Sequence, residues 1–89
     1  MKFIIKTNVH TYKDDIKKQF FLSNKDKAEI DGKIVNIIVS LDRVTTMRTL
    51  VNIINYIQEL ATFSDEQKIN LNINDSNNST DCVDIEITA

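Results

Sequence analysis

Hydrophobic and polar positions follow two rhythms along this chain, one of period two and one near 3.6. At the N-terminus Phe3, Ile5 and Val9 lie on one side, with Lys2, Lys6 and Asn8 opposite. That alternation predicts a half-buried strand over residues 3–9, ended by His10 and Thr11. Residues 12–23 admit two readings. Tyr12, Ile16 and Phe20 recur at i, i+4, i+8, as along one side of a helix, and Asp14 and Asp15 suit a first helical turn. Phe20-Phe21-Leu22 fits a short buried strand instead; the helix is preferred. Asp31-Gly32 then stands between Ala28-Glu29-Ile30 and a run from Lys33 to Leu41. Asp-Gly between apolar segments predicts a type I′ hairpin, because glycine accepts positive φ without a Cβ clash. In the second arm Val35, Ile37, Val39 and Leu41 share one face, with Ile34 and Ile38 on the other. Apolar side chains on both faces mark a central strand.

The rhythm then changes. Met47, Leu50, Val51, Ile54, Ile57 and Ala61 follow the i, i+3, i+4, i+7 spacing of an amphipathic helix, widened by Ile53, Tyr56 and Leu60. Arg48, Asn52, Asn55 and Glu59 form its polar stripe. Asp42 or Thr45 is the expected cap for its free N–H groups, and 62–65 ends it without a glycine. Period two returns in the last third. Ile69, Leu71 and Ile73 alternate with Lys68, Asn70, Asn72 and Asn74, and Val83, Ile85 and Ile87 alternate with Asp84, Glu86 and Thr88. Each strand is expected to put one face on the core and one in water, and the two to pair as an antiparallel hairpin around the polar stretch 75–81.

The elements assemble into a single α+β domain spanning 1–89. One antiparallel or mixed sheet of four or five strands carries a long helix, about 45–62, on one face. A second short helix covers about 12–22, the other sheet face is largely polar, and layering of the ferredoxin-like type is compatible with this order.

Composition narrows the functions such a domain can serve. With 89 residues the chain holds one core and little surplus apolar area for an enclosed cavity. Net charge is −2, so no strong field points to a polyanion or an anionic membrane. The charge is uneven, and residues 63–89 carry only Lys68 against Asp65, Glu66, Asp75, Asp81, Asp84 and Glu86. An acidic end of this kind is a solubilising edge or a docking surface for a basic partner. Cys82 is the one cysteine, so no intramolecular disulfide forms. The first apolar run is too short for a signal peptide, and no stretch approaches the roughly 20 apolar residues of a membrane span. A cytoplasmic protein is expected. The abundance of Ile, Asn and Lys is the usage of AT-rich coding, as in a low-GC bacterium or its phage.

Candidate chemistry is sparse. One His and one Cys cannot build a four-ligand zinc site. The stretch 75–81 offers oxygen ligands but lacks the glycine and terminal Glu of an EF-hand loop. Asn77 and Asn78 fit the glycosylation pattern, which without a secretory signal marks only a polar loop. Cys82 lies among Asp81 and Asp84, surroundings that oppose a thiolate. One glycine cannot furnish a phosphate-binding loop, which removes P-loop, dinucleotide-binding and acylphosphatase-like readings. His10 follows the first strand in a chain of the length of the histidine phosphocarriers. The sequence after it is Thr11-Tyr12-Lys13 rather than their Arg-Pro, and the expected C-terminal hairpin replaces their last helix. No metal and no cofactor is expected.

Three functional readings remain. The leading one is a non-catalytic protein-binding module, an adaptor or an inhibitor of a larger protein, of which phage or mobile-element inhibitors of bacterial defence enzymes are one class. Its candidate docking residues are Asn70, Asn72, Asp84 and Glu86 on the sheet and Arg48, Asn52, Asn55 and Glu59 on the helix. An exposed final strand would also allow a homodimer through an edge. The second is a nucleic-acid binder using Lys13, Lys17, Lys18, Lys25, Lys27 and Lys33, whose field is cut by the interleaved Asp14, Asp15, Asp26, Glu29 and Asp31. Phe3, Phe20 and Phe21 would be stacking platforms in that reading and core residues otherwise. The third is a phosphocarrier-like protein using His10.

Overall fold

The alternating and helical stretches become seven elements in the computed structural model, which describes residues 1–42, 45–75 and 81–89. They are β1 (Lys2–Asn8), α1 (Tyr12–Gln19), α2 (Asn24–Ile30), β2 (Ile34–Leu41), α3 (Met47–Ala61), β3 (Lys68–Asp75) and β4 (Cys82–Thr88). The strands form one mixed sheet in the order β1-β4-β2-β3. β4 runs antiparallel to both neighbours, whereas β2 and β3 are parallel. The expected class, a small α+β domain with a single sheet and a long helix, is the one observed.

Register decides which side chains share a face. Ile5 lies opposite Ile85, Ile85 opposite Val39, and Ile37 between Ile87 and Leu71. On that face Ile5, Val35, Ile37, Val39, Val83, Ile85 and Ile87 are essentially sealed from solvent. The helices contribute Ile16, Ile30, Leu50, Ile53, Ile57 and Ala61 to the same core. All three helices therefore serve one side of the sheet.

The ambiguous stretch 12–23 resolves as the preferred helix, followed by an extended connection that is not a strand of the sheet. α1 runs to Gln19, where Phe20 turns extended with φ −126° and ψ 119°. Phe20 and Leu22 are buried in the connection, and Phe20 meets Phe3 edge-on at 5.0 Å. Phe21 points outward, so it is not core. Asp14 and Asp15 in the first turn of α1 and Lys17 and Lys18 in its last turn suit the helix dipole.

Two expected hairpins are absent. Asp31-Gly32 does form a turn, with Gly32 at φ +76°, but it joins a helix to a strand. Residues 28–30 belong to α2, which is nucleated by a reciprocal cap. The Asp26 N–H donates to Ser23 Oγ and the Ser23 N–H donates to Asp26 Oδ2, each at 3.1 Å. The second absent hairpin is β3–β4. β3 returns parallel to β2 through α3, the short-crossover arrangement of a βαβ unit. β4 instead inserts between β1 and β2. The final strand is therefore interior and cannot supply the edge expected of it.

α3 departs from expectation at its start and ends where expected, at Thr62. Thr46, rather than Asp42 or Thr45, is the cap, its hydroxyl accepting from the Thr49 N–H at 3.3 Å. At the other end Thr62 adopts φ 49°, ψ 48°, a left-handed conformation costly for a β-branched residue. The chain termini meet, the Ala89 N–H donating to the Met1 carbonyl at 3.1 Å.

One polar contact ties α1 to the sheet. Thr7 is buried on the core face of β1, and its hydroxyl donates to Asp15 Oδ2 at 2.7 Å. Thr11 donates to the same oxygen at 2.8 Å. The Thr7 and Thr11 hydroxyls, with a smaller contribution from Lys18, hold the Asp15 carboxyl below its ordinary value against an opposing burial effect.

A depressed carboxyl pKa contributes stability above the unfolded-state value, about 3.9, and that contribution is lost as pH falls through the folded-state value. Urea midpoints should accordingly be lower for Asp15→Asn than for the parent at neutral pH, the gap closing in acid. A pH-independent gap would show that the carboxylate charge is not what matters. Thr62→Gly should raise stability by about 1 kcal/mol by removing the left-handed penalty, read as an increased urea midpoint at unchanged slope.

Candidate functional site

The sheet face turned away from the helices is an ordered array. One row across it runs Lys2, Thr88, Asn36, Asn70; the next Ile4, Glu86, Ile38, Asn72; the third Lys6, Asp84, Ser40, Asn74. Period two puts these residues out because their neighbours in sequence are in. Ile4 and Ile34 are exposed here, and Ile38 half-exposed, so the surface is less polar than expected. A shallow groove of about 190 Å³ follows Ile4, Ile38, Ser40, Asp84 and Glu86. Lys2 Nζ lies 3.5 Å from Glu86 Oε1, and Asn70 Nδ2 donates to Asn36 Oδ1 at 3.1 Å. These solvent-facing contacts order the surface more than they stabilise the fold.

A second feature lies on the helix side. Leu71 and Ile73 of β3 pair in register with Ile37 and Val39 and point to the core face, yet they are 39% and 48% exposed. The expectation that β3 has a core-packed apolar face is thus corrected: only Ile69 packs against the core. α3 shows the same margin. Its buried line is Leu50, Ile53, Ile57 and Ala61, leaving Met47 and Val51, both expected in the apolar stripe, 70% and 44% exposed. Tyr56 faces α1, its ring edge-on to Tyr12 at 6.3 Å, and α1 packs on β1. Val51 lies about 140° around the helix from Tyr56, on the flank directed at β3. Leu71 and Ile73 of β3 make an exposed apolar edge, and Met47 and Val51 are the exposed apolar residues of α3.

The residues singled out from sequence are distributed over both sides of the molecule. Asn70 and Asn72 share the open face with Asp84 and Glu86, but β2 separates the two pairs by two strand spacings, roughly 10 Å. Arg48, Asn52, Asn55 and Glu59 are exposed on the outer stripe of α3, on the opposite side of the protein. The two sets are not one surface. Lys13, Lys17, Lys18, Lys25, Lys27 and Lys33 are exposed on α1, α2 and the turn into β2. Lys13 stands 5.9 Å above the Tyr56 ring, and Lys27 Nζ donates to Thr62 Oγ1 at 2.6 Å. His10 sits in the bend before α1 with Nε2 3.7 Å from Asp81 Oδ2, both side chains exposed. A phosphoryl group on that nitrogen would face a carboxylate. Cys82 is half-buried at the start of β4 and outside any disulfide.

Among the described residues no group of three or more His, Cys, Asp or Glu side chains could hold a metal ion. The oxygen-rich loop reading, with Asn77 and Asn78, rests largely on residues 76–80 and lies outside the described residues. No described helix is long and apolar enough to cross a membrane. The features that sequence reasoning missed are the apolar edge and Ile4 on the open face. Ile4 follows Phe3 and breaks the alternation, the signal that could have marked it.

No known family model matches the sequence, and no curated protein matches it. Among solved structures the chain is similar to TubZ of Bacillus thuringiensis serovar israelensis, determined as GDP-form protofilaments. The superposition has a TM-score of 0.61 at 19% identity and covers 99% of this chain and 25% of that one. The chain thus spans about a quarter of the length of that protein, and the likeness is one of fold.

Exposure sets the expected cost of truncation at the paired positions Ile37 of β2 and Leu71 of β3. Ile37→Ala should destabilise by about 2–5 kcal/mol as a buried large-to-small change. Leu71→Ala, at low micromolar protein, should cost under about 1.5 kcal/mol. Denaturant unfolding of the two variants checks the contrast; equal costs would place Leu71 in a buried environment.

Proposed function

We propose that this chain is a non-catalytic protein-binding module that acts as an adaptor for, or an inhibitor of, a larger protein, and that its partner is a self-assembling subunit of the TubZ kind. The observation that carries this reading is the open sheet face. On it Ile4 and Ile38 flank Glu86, with Asp84 and the amides of β3 alongside. Exposed apolar side chains set among polar groups are the composition of a protein-docking patch. The fold of the chain corresponds to a quarter of a protein that assembles into protofilaments, which supports a partner of that type over other classes. A module with the shape of part of a subunit can occupy a subunit's contacts without continuing the assembly. The cytoplasm is the compartment in which Cys82 would remain a thiol, and it is included in the proposal.

The test mixes the purified chain with TubZ under filament-forming conditions and measures pelleted protein. The chain should co-sediment or reduce the pelleted fraction, and Asp84→Lys/Glu86→Lys should weaken the effect at least tenfold, whereas Arg48→Ala/Glu59→Ala should leave it intact. No effect of the unmodified chain on sedimentation would sink the choice of partner. An effect indifferent to Asp84 and Glu86 would sink the choice of face.

A further inference from the structure

We infer that β3 is a self-association edge through which two copies of this chain join their sheets, strand β3 antiparallel to strand β3 about a two-fold axis centred on Leu71. The inference does not rest on the partner proposed above: the outer edge of β3 is distinct from the Asp84 and Glu86 side of the open face, and only Asn70 and Asn72 border both.

The two sheet edges are treated differently. On β1, Lys2 and Lys6 interrupt the strand with charge, and Gln19 Nε2 reaches the Lys6 carbonyl at 3.4 Å. Charge and covering side chains are how natural edges are kept from pairing. β3 is eight residues long, Lys68–Asp75, with charge only at its two ends. Among the described residues it has a strand neighbour on one side, β2.

Its sequence is self-complementary. Ile69-Asn70-Leu71-Asn72-Ile73 reads the same in both directions. A two-fold axis normal to the sheet keeps both helix layers on one side, so residue i must meet a residue on the same face. Centring on Leu71 places Leu71 against Leu71 of the second copy and Ile69 against Ile73 of the second copy, an apolar ladder on the helix side. On the other side Asn70 meets Asn72 of the second copy, so amides face amides, as Asn70 and Asn36 already do within one copy. Lys68 of one copy and Asp75 of the other come to the same end, so the charged termini complement each other.

Area agrees with this occupant. A strand of eight residues is about 26 Å long, and the molecule is 20 Å across in its thinnest direction. Two copies therefore meet over at most roughly 500 Å² each, about 1,000 Å² in total, the low end of specific interfaces. The exposed Met47 and Val51 lie on the flank of α3 directed at this edge and add apolar contact. An interface of this size falls among the small, reversible ones. The isologous contact closes, so it yields dimers and not fibres.

Sedimentation of the full chain across a concentration series tests it, with no partner present. The parent should shift from monomer to dimer, and Leu71→Lys, with unchanged circular dichroism, should stay monomeric. Register is tested separately in a Cys82→Ser background. Leu71→Cys should form a covalent dimer on mild oxidation, because facing residues of paired strands lie within disulfide reach, while Lys6→Cys on the other edge should not. A parent that stays monomeric at all concentrations, a Leu71→Lys protein that still dimerises, or equal cross-linking at positions 6 and 71 would each overturn the inference.

Discussion

The structure depends on a mismatch between the amount of sheet and the amount of helix available to cover it. Four strands expose a broad apolar face, and three helices, two of them only two turns long, must seal it. α1 is drawn to β1 by Ile16 and by the Thr7–Asp15 bond, and α3 lies over the centre through Leu50, Ile53 and Ile57. β1, β4 and β2 are thereby sealed, and β3 is left at the margin. Its exposed Leu71 and Ile73 follow from where the helical cover ends; they are not a local anomaly.

The same arrangement divides the surface into three regions of distinct chemistry. The outer helical layer carries mixed charge, with lysines and acids interleaved closely enough to cancel beyond a Debye length. The open sheet face carries an apolar pair framed by carboxylates and amides. The β3 edge carries apolar groups and, among the described residues, has no strand neighbour on its outer side. Each region is a direct product of helix or strand periodicity acting on a nearly neutral chain.

Much of this was legible in the sequence because periodicity reports burial. α3, β2 and β4 were marked by apolar residues at 3.6 or two, and most of those residues are buried as that spacing requires, Met47 and Val51 being the exposed ones in α3. Pairing was not legible to the same degree. Period two says that a strand has a wet face but not which strand lies beside it, so β3 and β4 were matched by proximity in sequence when β4 in fact separates β1 from β2. The Asp31-Gly32 turn was correctly located and wrongly interpreted, because a left-handed glycine ends a helix as readily as it turns a hairpin. The cap at Ser23 and Asp26 carried the missing information: a short polar stretch becomes a helix when its first free N–H groups are satisfied. For the candidate site, alternation correctly put Asn70, Asn72, Asp84 and Glu86 on one face. Their separation by β2 depended on topology, which no local spacing encodes.

The meeting of Met1 and Ala89 has a topological consequence. With its first and last residues bonded to each other, the backbone approximates a ring. A ring has no privileged starting point, and the strands would keep their order and register if it were opened at a surface turn instead. Its two ends also leave the sheet side by side. A host protein could accept the whole unit at a single loop without separating the strands on either side.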